Sequence, residues 1–260
     1  MSKIGKALSK AKQESAQEGP QLAGKILGAG LQVHMRVPSP QTQVQFPERK
    51  LQGQNRVLSS LKEPSVLDAY NLLRTQILQK TVDRNLNTIM VTSPGPEEGK
   101  TTTAMNLGLA IARNEQHTAL VVDTHLRSPK LHRYLGLQCE RGLTDYLLNG
   151  APISELLITP NEEAFVVLPS GCSLQGSTDI LSSQAMKRLV RELKTRYADR
   201  YIFFDCPHLL NMPDSLVFSS YVDAVLLVVE AGKTKQEEIE SALGILEGKN
   251  LLGLVLNKIR

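Results

Sequence analysis

The chain has 260 residues, of which 41% are hydrophobic and 22% are charged, a composition that is ordinary for a folded globular protein. No apolar run reaches the length of about 18 residues that a membrane-spanning helix needs. The opening MSKIGKALSKAKQ also lacks the apolar stretch of a secretion signal, and the three cysteines follow no metal-binding or disulfide spacing. These features predict a cytoplasmic location.

The positive charge is concentrated near the N-terminus. Residues 1–65 carry ten Lys/Arg against four Asp/Glu, whereas the rest of the chain carries twenty against twenty-two. Residues 18–64 are rich in Gln, Gly, Pro and Ser, a composition typical of disorder. We therefore predict a basic, largely disordered arm over 1–64 and a folded domain over 65–260. The arm is solvated, or it contacts an anionic lipid surface or an acidic partner. No aromatic platform supports a nucleic-acid role.

The sequence of the folded part predicts alternating helices and strands. Ser65 and Asp68 have the spacing of a capping box, and a helical stripe of apolar residues follows. Apolar, β-rich runs occur at 88–92, 119–123, 165–168, 201–205, 224–229 and 254–257. Helical stretches at 101–114, 183–197 and 236–249 lie between them. This order predicts a doubly wound, mostly parallel α/β sheet, whose ligands lie beyond the carboxyl ends of its strands.

A phosphate-binding loop follows the first of these strands. The segment SPGPEEGKTT, residues 93–102, lies between a strand and a helix, which is the order that a phosphate loop requires. Lys100 would reach the phosphates of ATP, and the Thr101 hydroxyl would bind Mg²⁺. Pro94 replaces the first glycine of the plain P-loop pattern, so the loop is a deviant Walker A motif. The residues expected to contact the nucleotide here are Pro96, Glu98, Gly99, Lys100, Thr101 and Thr102.

Aspartates end two of the predicted strands. Asp123 and Asp205 each follow a buried apolar run, where a carboxylate is costly unless a cation or hydrogen-bond donors satisfy it. Beside a phosphate loop the natural partner is Mg²⁺, so Thr101, Asp123 and Asp205 are the predicted metal ligands. The alternative is that either aspartate caps a helix or a turn.

Three other polar residues lie at predicted strand ends. Asn257 ends the last strand and presents both a donor and an acceptor, as an adenine edge requires. His125 is best explained as a surface residue, with a hydrogen-bond donor or a metal ligand as alternatives. His208 has no role that the sequence indicates.

Taken together, these blocks resemble the bacterial tyrosine kinases of capsule and exopolysaccharide synthesis, which belong with the MinD and ParA types of deviant P-loop ATPase. The likeness runs from about residue 65 to residue 260, and the opening MSKIGKAL is similar to the exosortase-associated branch. The blocks that carry it are residues 92–101, 122–129, 142–145, 168–171, 181–183, 205–207, 226–233 and 253–257.

The resemblance implies an enzyme that transfers the γ-phosphate of ATP to protein tyrosine. Lys100, Asp123 and Asp205 would be its catalytic residues, with Asp123 serving the metal or the tyrosine hydroxyl, and Asn257 would bind adenine. The resemblance also implies a homo-oligomer. A separate membrane protein of the chain-length regulator (Wzz/GumC-like) type would activate the chain and hold it peripherally at the inner membrane.

The chain departs from the family pattern at four places. Glu97 stands where family loops have glycine, and His125 replaces the second carboxylate of an Asp-x-Asp motif. The subunit-packing helix has Asp68 and Arg74 but lacks one basic residue, and no tyrosine cluster precedes Arg260. These departures favour weak transfer, and they keep open a pseudokinase-like adaptor of polysaccharide export that binds ATP. A MinD- or ParA-like ATPase is less favoured, because that class has a second loop lysine.

Overall fold

The computed structural model describes the backbone of Thr42–Val44 and residues 64–138, 141–160, 164–197 and 199–259. Apart from Thr42–Val44, the predicted basic arm and its membrane contact lie outside the described residues.

The described strands form one sheet whose neighbouring strands are mostly parallel. The strands are β1 (Thr42–Val44), β2 (Thr88–Thr92), β3 (Thr118–Asp123), β4 (Ile158–Pro160), β5 (Phe165–Leu168), β6 (Arg200–Asp205), β7 (Ala224–Glu230) and β8 (Leu251–Asn257). Their order is β1-β4-β5-β3-β6-β2-β7-β8, and only β4 against β5 is antiparallel among these pairs. The chain winds outward from β2 in both directions, as in doubly wound folds.

Helices connect and cover the strands. They are α1 (Pro64–Thr81), α2 (Lys100–Ala112), α3 (Leu131–Tyr134), α4 (Leu143–Asn149), α5 (Ile153–Leu156), α6 (Ser177–Ser182), α7 (Gln184–Arg196), α8 (Pro213–Phe218) and α9 (Gln236–Ile245), with a short 3₁₀ turn at Val82–Arg84. Helix α2 packs against β3 and β6, and α1 packs on α2. The crossovers therefore bring the carboxyl ends of the parallel strands to one edge of the sheet.

The core lies between the sheet and these helices. Residues of β2, β5 and β6 are buried along the whole strand, as the continuous apolar runs predicted. Helix α1 turns the predicted stripe inward: Ile77 is buried, and Val66, Tyr70 and Leu73 pack against the core cluster. The Arg74 guanidinium donates to the carbonyl oxygen of Ala110 at 3.0 Å, which ties α1 to α2.

The predicted α/β sheet is confirmed, and the differences concern short elements. Helix α1 begins at Pro64, so Ser65 lies inside the first turn, and the prediction that it begins a capping box was wrong. Strands β1 and β4 were not predicted, since three residues are too few to show a periodicity. Strand β1 lies in the segment assigned to the arm and pairs in parallel with β4.

Among the described residues, no helix combines the length and the apolar character that a membrane span needs.

Candidate active site

The phosphate loop connects β2 to α2 and is tied together by its own side chains. The backbone N–H of Gly95 donates to Glu98 Oε1 at 2.8 Å, and Ser93 Oγ donates to the Gly95 carbonyl at 2.5 Å. Glu98 is only 4% exposed, and no hydrogen bond from the described residues reaches its Oε2 atom. The Lys100 ammonium, also buried, lies 3.5 Å from the Gly95 carbonyl oxygen. The lysine is thus folded back over the loop that it was predicted to serve.

Two loop residues adopt left-handed backbone conformations. Gly99 has φ +98°, and a Cβ atom there would lie 2.0 Å from Asn257 Nδ2. Any larger residue would force the Asn257 side chain to move and would also be strained at this φ, so glycine is favoured. Glu97 has φ +62° although it carries a side chain, which is unfavourable for an L-residue. The structure thus gives a physical reason for the glycine that family loops have at this position.

The loop and the first turn of α2 fit a phosphate group. In the described part of the chain, the backbone N–H groups of Glu98 and Gly99 donate to no protein acceptor. The first N–H groups of α2 lack intrahelical partners by geometry, and the helix dipole adds positive potential there. Unpaired amide donors beside the Lys100 ammonium are the arrangement that binds phosphate oxygens.

Thr101 and Asp205 provide oxygens suited to Mg²⁺. The Thr101 hydroxyl donates to Asp205 Oδ2 at 2.6 Å, although the two residues are 104 positions apart. A hydroxyl and a carboxylate are hard oxygen ligands of the kind that Mg²⁺ prefers, so the residues present fit the ion. Asp205 ends β6 and is directly opposite Asp123 at the end of β3. Burial, followed by the neighbouring Asp123 carboxylate, raises the pKa of Asp205.

Asp123 makes the turn contacts that the sequence offered as the alternative to a metal role. Its Oδ1 accepts from the backbone N–H of His125 at 3.0 Å. Its Oδ2 accepts from the backbone N–H groups of Lys130 and Leu131, at 3.3 and 3.2 Å, where α3 begins. Burial raises the pKa of Asp123 despite these bonds. Its metal and base roles stay predictions.

The segment after β3 places a neutral imidazole beside the lysines. Burial lowers the pKa of His125 to about 4, with Lys100 and Lys130 acting in the same direction. His125 is therefore uncharged at neutral pH, and it is half-buried rather than a surface residue. Burial and Lys100 also lower the pKa of His208 on the same rim.

These residues lie along one open cleft between α1 and the end of β8. Its lining includes nine residues of the loop and the strand ends that the sequence analysis singled out: Pro96, Glu97, Gly99, Lys100, Thr101, Thr102, His125, His208 and Asn257. Glu98, Asp123 and Asp205 are buried and do not line it. The sequence analysis missed two cleft residues, Tyr134, whose hydroxyl bonds Thr102 at 3.0 Å, and Lys258, which contacts the loop backbone. Lys258 directly follows Asn257, but its loop partner is 161 positions away.

A mostly parallel sheet with a phosphate loop after β2, and with aspartates ending β6 and β3, the next two strands on one side of β2, defines a P-loop nucleotide-binding protein. The family model described as AAA domain matches residues 87–246. The chain belongs to the bacterial tyrosine-protein kinase family. It is 33% identical over 207 residues to the tyrosine-protein kinase YwqD of Bacillus subtilis (strain 168), covering 78% of this chain and 86% of that relative.

Solved structures agree with this assignment. The kinase domain of VpsO is 28% identical, with a TM-score of 0.67, and the likeness covers 76% of this chain and 98% of that one. The septum site-determining protein MinD of Pyrococcus horikoshii, solved with Mg-ADP, has a TM-score of 0.54 at 22% identity over 65% of this chain and 69% of that one. The second likeness shows that the MinD structure has the same fold.

Proposed function

We propose that this chain is an ATP-dependent protein-tyrosine kinase of exopolysaccharide or capsule synthesis. Family membership supports the activity, and one observation connects it to the geometry. The hydrogen bond between Thr101 and Asp205 brings a P-loop hydroxyl against a strand-end carboxylate, beside the Lys100 ammonium. A phosphate site and a Mg²⁺ site are then adjacent, as phosphoryl transfer requires.

Each residue has a distinct task in this proposal. The Lys100 ammonium and the loop amides bind the β- and γ-phosphates, while Thr101 and Asp205 hold Mg²⁺. The ion, when bound, neutralises charge on the transferring phosphoryl group. Asp123 orients the segment that carries His125 and lies next to Asp205, where it serves the metal or accepts the proton of the tyrosine hydroxyl. Asn257 binds the adenine edge, and its Nδ2 atom also donates to the Glu98 carbonyl of the loop.

Partners and location follow from the family. We propose that a separate membrane protein of the chain-length regulator type activates this kinase and holds it at the cytoplasmic face of the inner membrane. The basic arm would add contact with anionic lipid. A homo-oligomer would form through α1, where Arg74 already holds α1 against α2 and Asp68 is exposed.

The test is formation of phosphotyrosine by the purified full chain with ATP and Mg²⁺, with and without the cytoplasmic tail of a candidate regulator. Lys100→Met should abolish labelling. Lys249→Met is the matched control, because Lys249 is a partly exposed lysine that bonds Ser220 and does not line the cleft. It should label like the unchanged chain.

A nucleotide-gated adaptor is the second candidate, and His125 favours it. The neutral imidazole of His125 stands in place of a carboxylate, so the region that would hold Mg²⁺ has one negative charge fewer. Binding of ATP and Mg²⁺ without phosphotyrosine, under conditions where an active relative is labelled, would favour the adaptor. Absence of nucleotide binding would contradict both candidates.

A further inference from the structure

The end of β8 holds two consecutive carbonyl groups of the phosphate loop. Asn257 Nδ2 donates to the Glu98 carbonyl at 2.9 Å, and Lys258 Nζ donates to the Glu97 carbonyl at 2.7 Å. Nearly 160 residues separate donor and acceptor in both pairs, at 159 and 161 positions. Two adjacent peptide groups of the loop are therefore fixed from a distant strand.

The Lys258 ammonium is itself held in place. It lies 2.9 Å from Glu230 Oε2, at the end of β7, and the backbone N–H of Ala231 donates to the Asn257 carbonyl at 2.9 Å. Lys233 lies 3.3 Å from the same Glu230 oxygen but donates to no loop carbonyl in the described structure. The two lysines thus share one carboxylate, and only Lys258 reaches the loop.

The loop needs such support because of Glu97. Its φ of +62° lies in the left-handed region, which a residue with a Cβ atom adopts reluctantly. A bond from a charged donor to the carbonyl of that same residue favours this conformation over relaxed ones. The bond from Lys258 therefore offsets part of the conformational strain at Glu97.

Holding these carbonyls also sets the direction of the amides that follow them. The C=O and N–H of a trans peptide point in opposite directions. With the Glu97 and Glu98 carbonyls turned toward β8, the N–H groups of Glu98 and Gly99 point away from β8, and they donate to no acceptor in the described part of the chain.

We propose that Lys258 is a positioning residue for nucleotide binding, which holds the Glu97 carbonyl so that the Glu98 amide faces the phosphates. The role rests on the proposed nucleotide-binding function. Because Glu97 is not a glycine, the loop of this chain depends on Lys258 to hold its conformation. A loop with glycine at position 97 would depend on that lysine less.

The test compares Lys258→Met, Lys258→Arg and Lys233→Met, and then Lys258→Met in a Glu97→Gly background. Calorimetry with ADP and Mg²⁺ measures affinity, and the NMR order parameters of the Glu98 and Gly99 amides in the free protein measure loop order. Loss of a charge-assisted hydrogen bond predicts binding about tenfold weaker for Lys258→Met. Lys258→Arg and Lys233→Met should stay within about twofold of the unchanged chain.

The Glu97→Gly background separates positioning from a general loss of stability. Glycine adopts the left-handed conformation readily. In the Glu97→Gly background, Lys258→Met should therefore weaken ADP binding by less than about threefold. An equal loss in both backgrounds, or an equal loss for Lys233→Met, would overturn the proposal. If the unchanged chain binds no nucleotide, the proposed function fails, and the order parameter of the Glu98 amide still decides whether this lysine holds the loop, since it should be lower in Lys258→Met.

Discussion

Thr101 at the start of α2 and Asp205 at the end of β6 are joined by a 2.6 Å hydrogen bond. The bond connects the phosphate loop to the sheet edge where Asp123 also ends its strand. The hydroxyl and the carboxylate therefore meet only because β2 and β6 are neighbours in the sheet.

The first prediction concerns this pair. Thr101→Val removes the hydroxyl at nearly constant volume, and it should weaken binding of ADP with Mg²⁺ about tenfold while ADP alone binds as before. Thr101→Ser keeps the hydroxyl and should retain the Mg²⁺ dependence. Calorimetry with and without the ion checks both variants, and an unchanged Mg²⁺ dependence in Thr101→Val would remove this residue from the metal site.

A second prediction concerns the close approach at Gly99. Gly99→Ala would suffer both the left-handed strain and a collision with Asn257, whereas Gly232, with φ +72°, has open space around it. Strain alone costs about 1–2 kcal/mol, so Gly232→Ala should lose that much unfolding free energy and Gly99→Ala more. Urea unfolding measures the difference. Adding Asn257→Ala should relieve part of the Gly99→Ala loss, and equal losses for the two alanine variants would contradict the clash.

The pH dependence of stability provides a third prediction. The pKa of His125 falls from 6.5 to about 4 on folding, so between these values the unfolded chain binds a proton that the folded chain does not. This residue therefore removes stability as the pH falls through that window, by up to about 1.4 kcal/mol per pH unit. His125→Gln cannot titrate, so its unfolding free energy should decrease less between about pH 7 and pH 5. Equal decreases in the two proteins would show that His125 is not the cause.

A fourth prediction tests the opposite end of the sheet. The Asp223 carboxylate accepts from Asn87 N–H and from both the N–H and the hydroxyl of Thr88, and it forms an ion pair with Lys194. Burial raises its pKa, but the bonds from Lys194 and Thr88 outweigh burial, so the net shift is downward. The stability that Asp223 contributes is therefore present above pH 3.8 and is lost as the pH falls through its lower folded pKa.

Asp223→Ala should accordingly lose about 3 kcal/mol of unfolding free energy at neutral pH, because it leaves a partly buried lysine and two amides without their acceptor. Glu192→Ala, which breaks an exposed pair with Arg196, should lose under about 1 kcal/mol. Nucleotide affinity should change in neither variant, since both sites are remote from the loop. A loss for Asp223→Ala as small as that of the control would show that the network contributes little.

The sequence alone determined the phosphate loop, the six longer strands and the mostly parallel sheet. Each of these depends on local order along the chain, which apolar runs, glycines and the Gly99–Lys100–Thr101 triplet reveal directly. It also identified Glu97 as an unfavourable residue, because the loop pattern indicates where glycine is needed. The capping role of Ser65 was wrong, since the helix starts at Pro64, two residues earlier than a cap at Ser65 would place its first residue.

Only the tertiary structure decided which distant residues act on the loop. The bonds from Thr101 to Asp205 and from Lys258 to the Glu97 carbonyl span 104 and 161 positions, and no local pattern encodes them. The raised pKa of Asp123 and the neutral state of His125 likewise depend on burial, which neighbouring elements create. Periodicity and motifs report what the chain does within a few residues, whereas strand order determines which side chains meet.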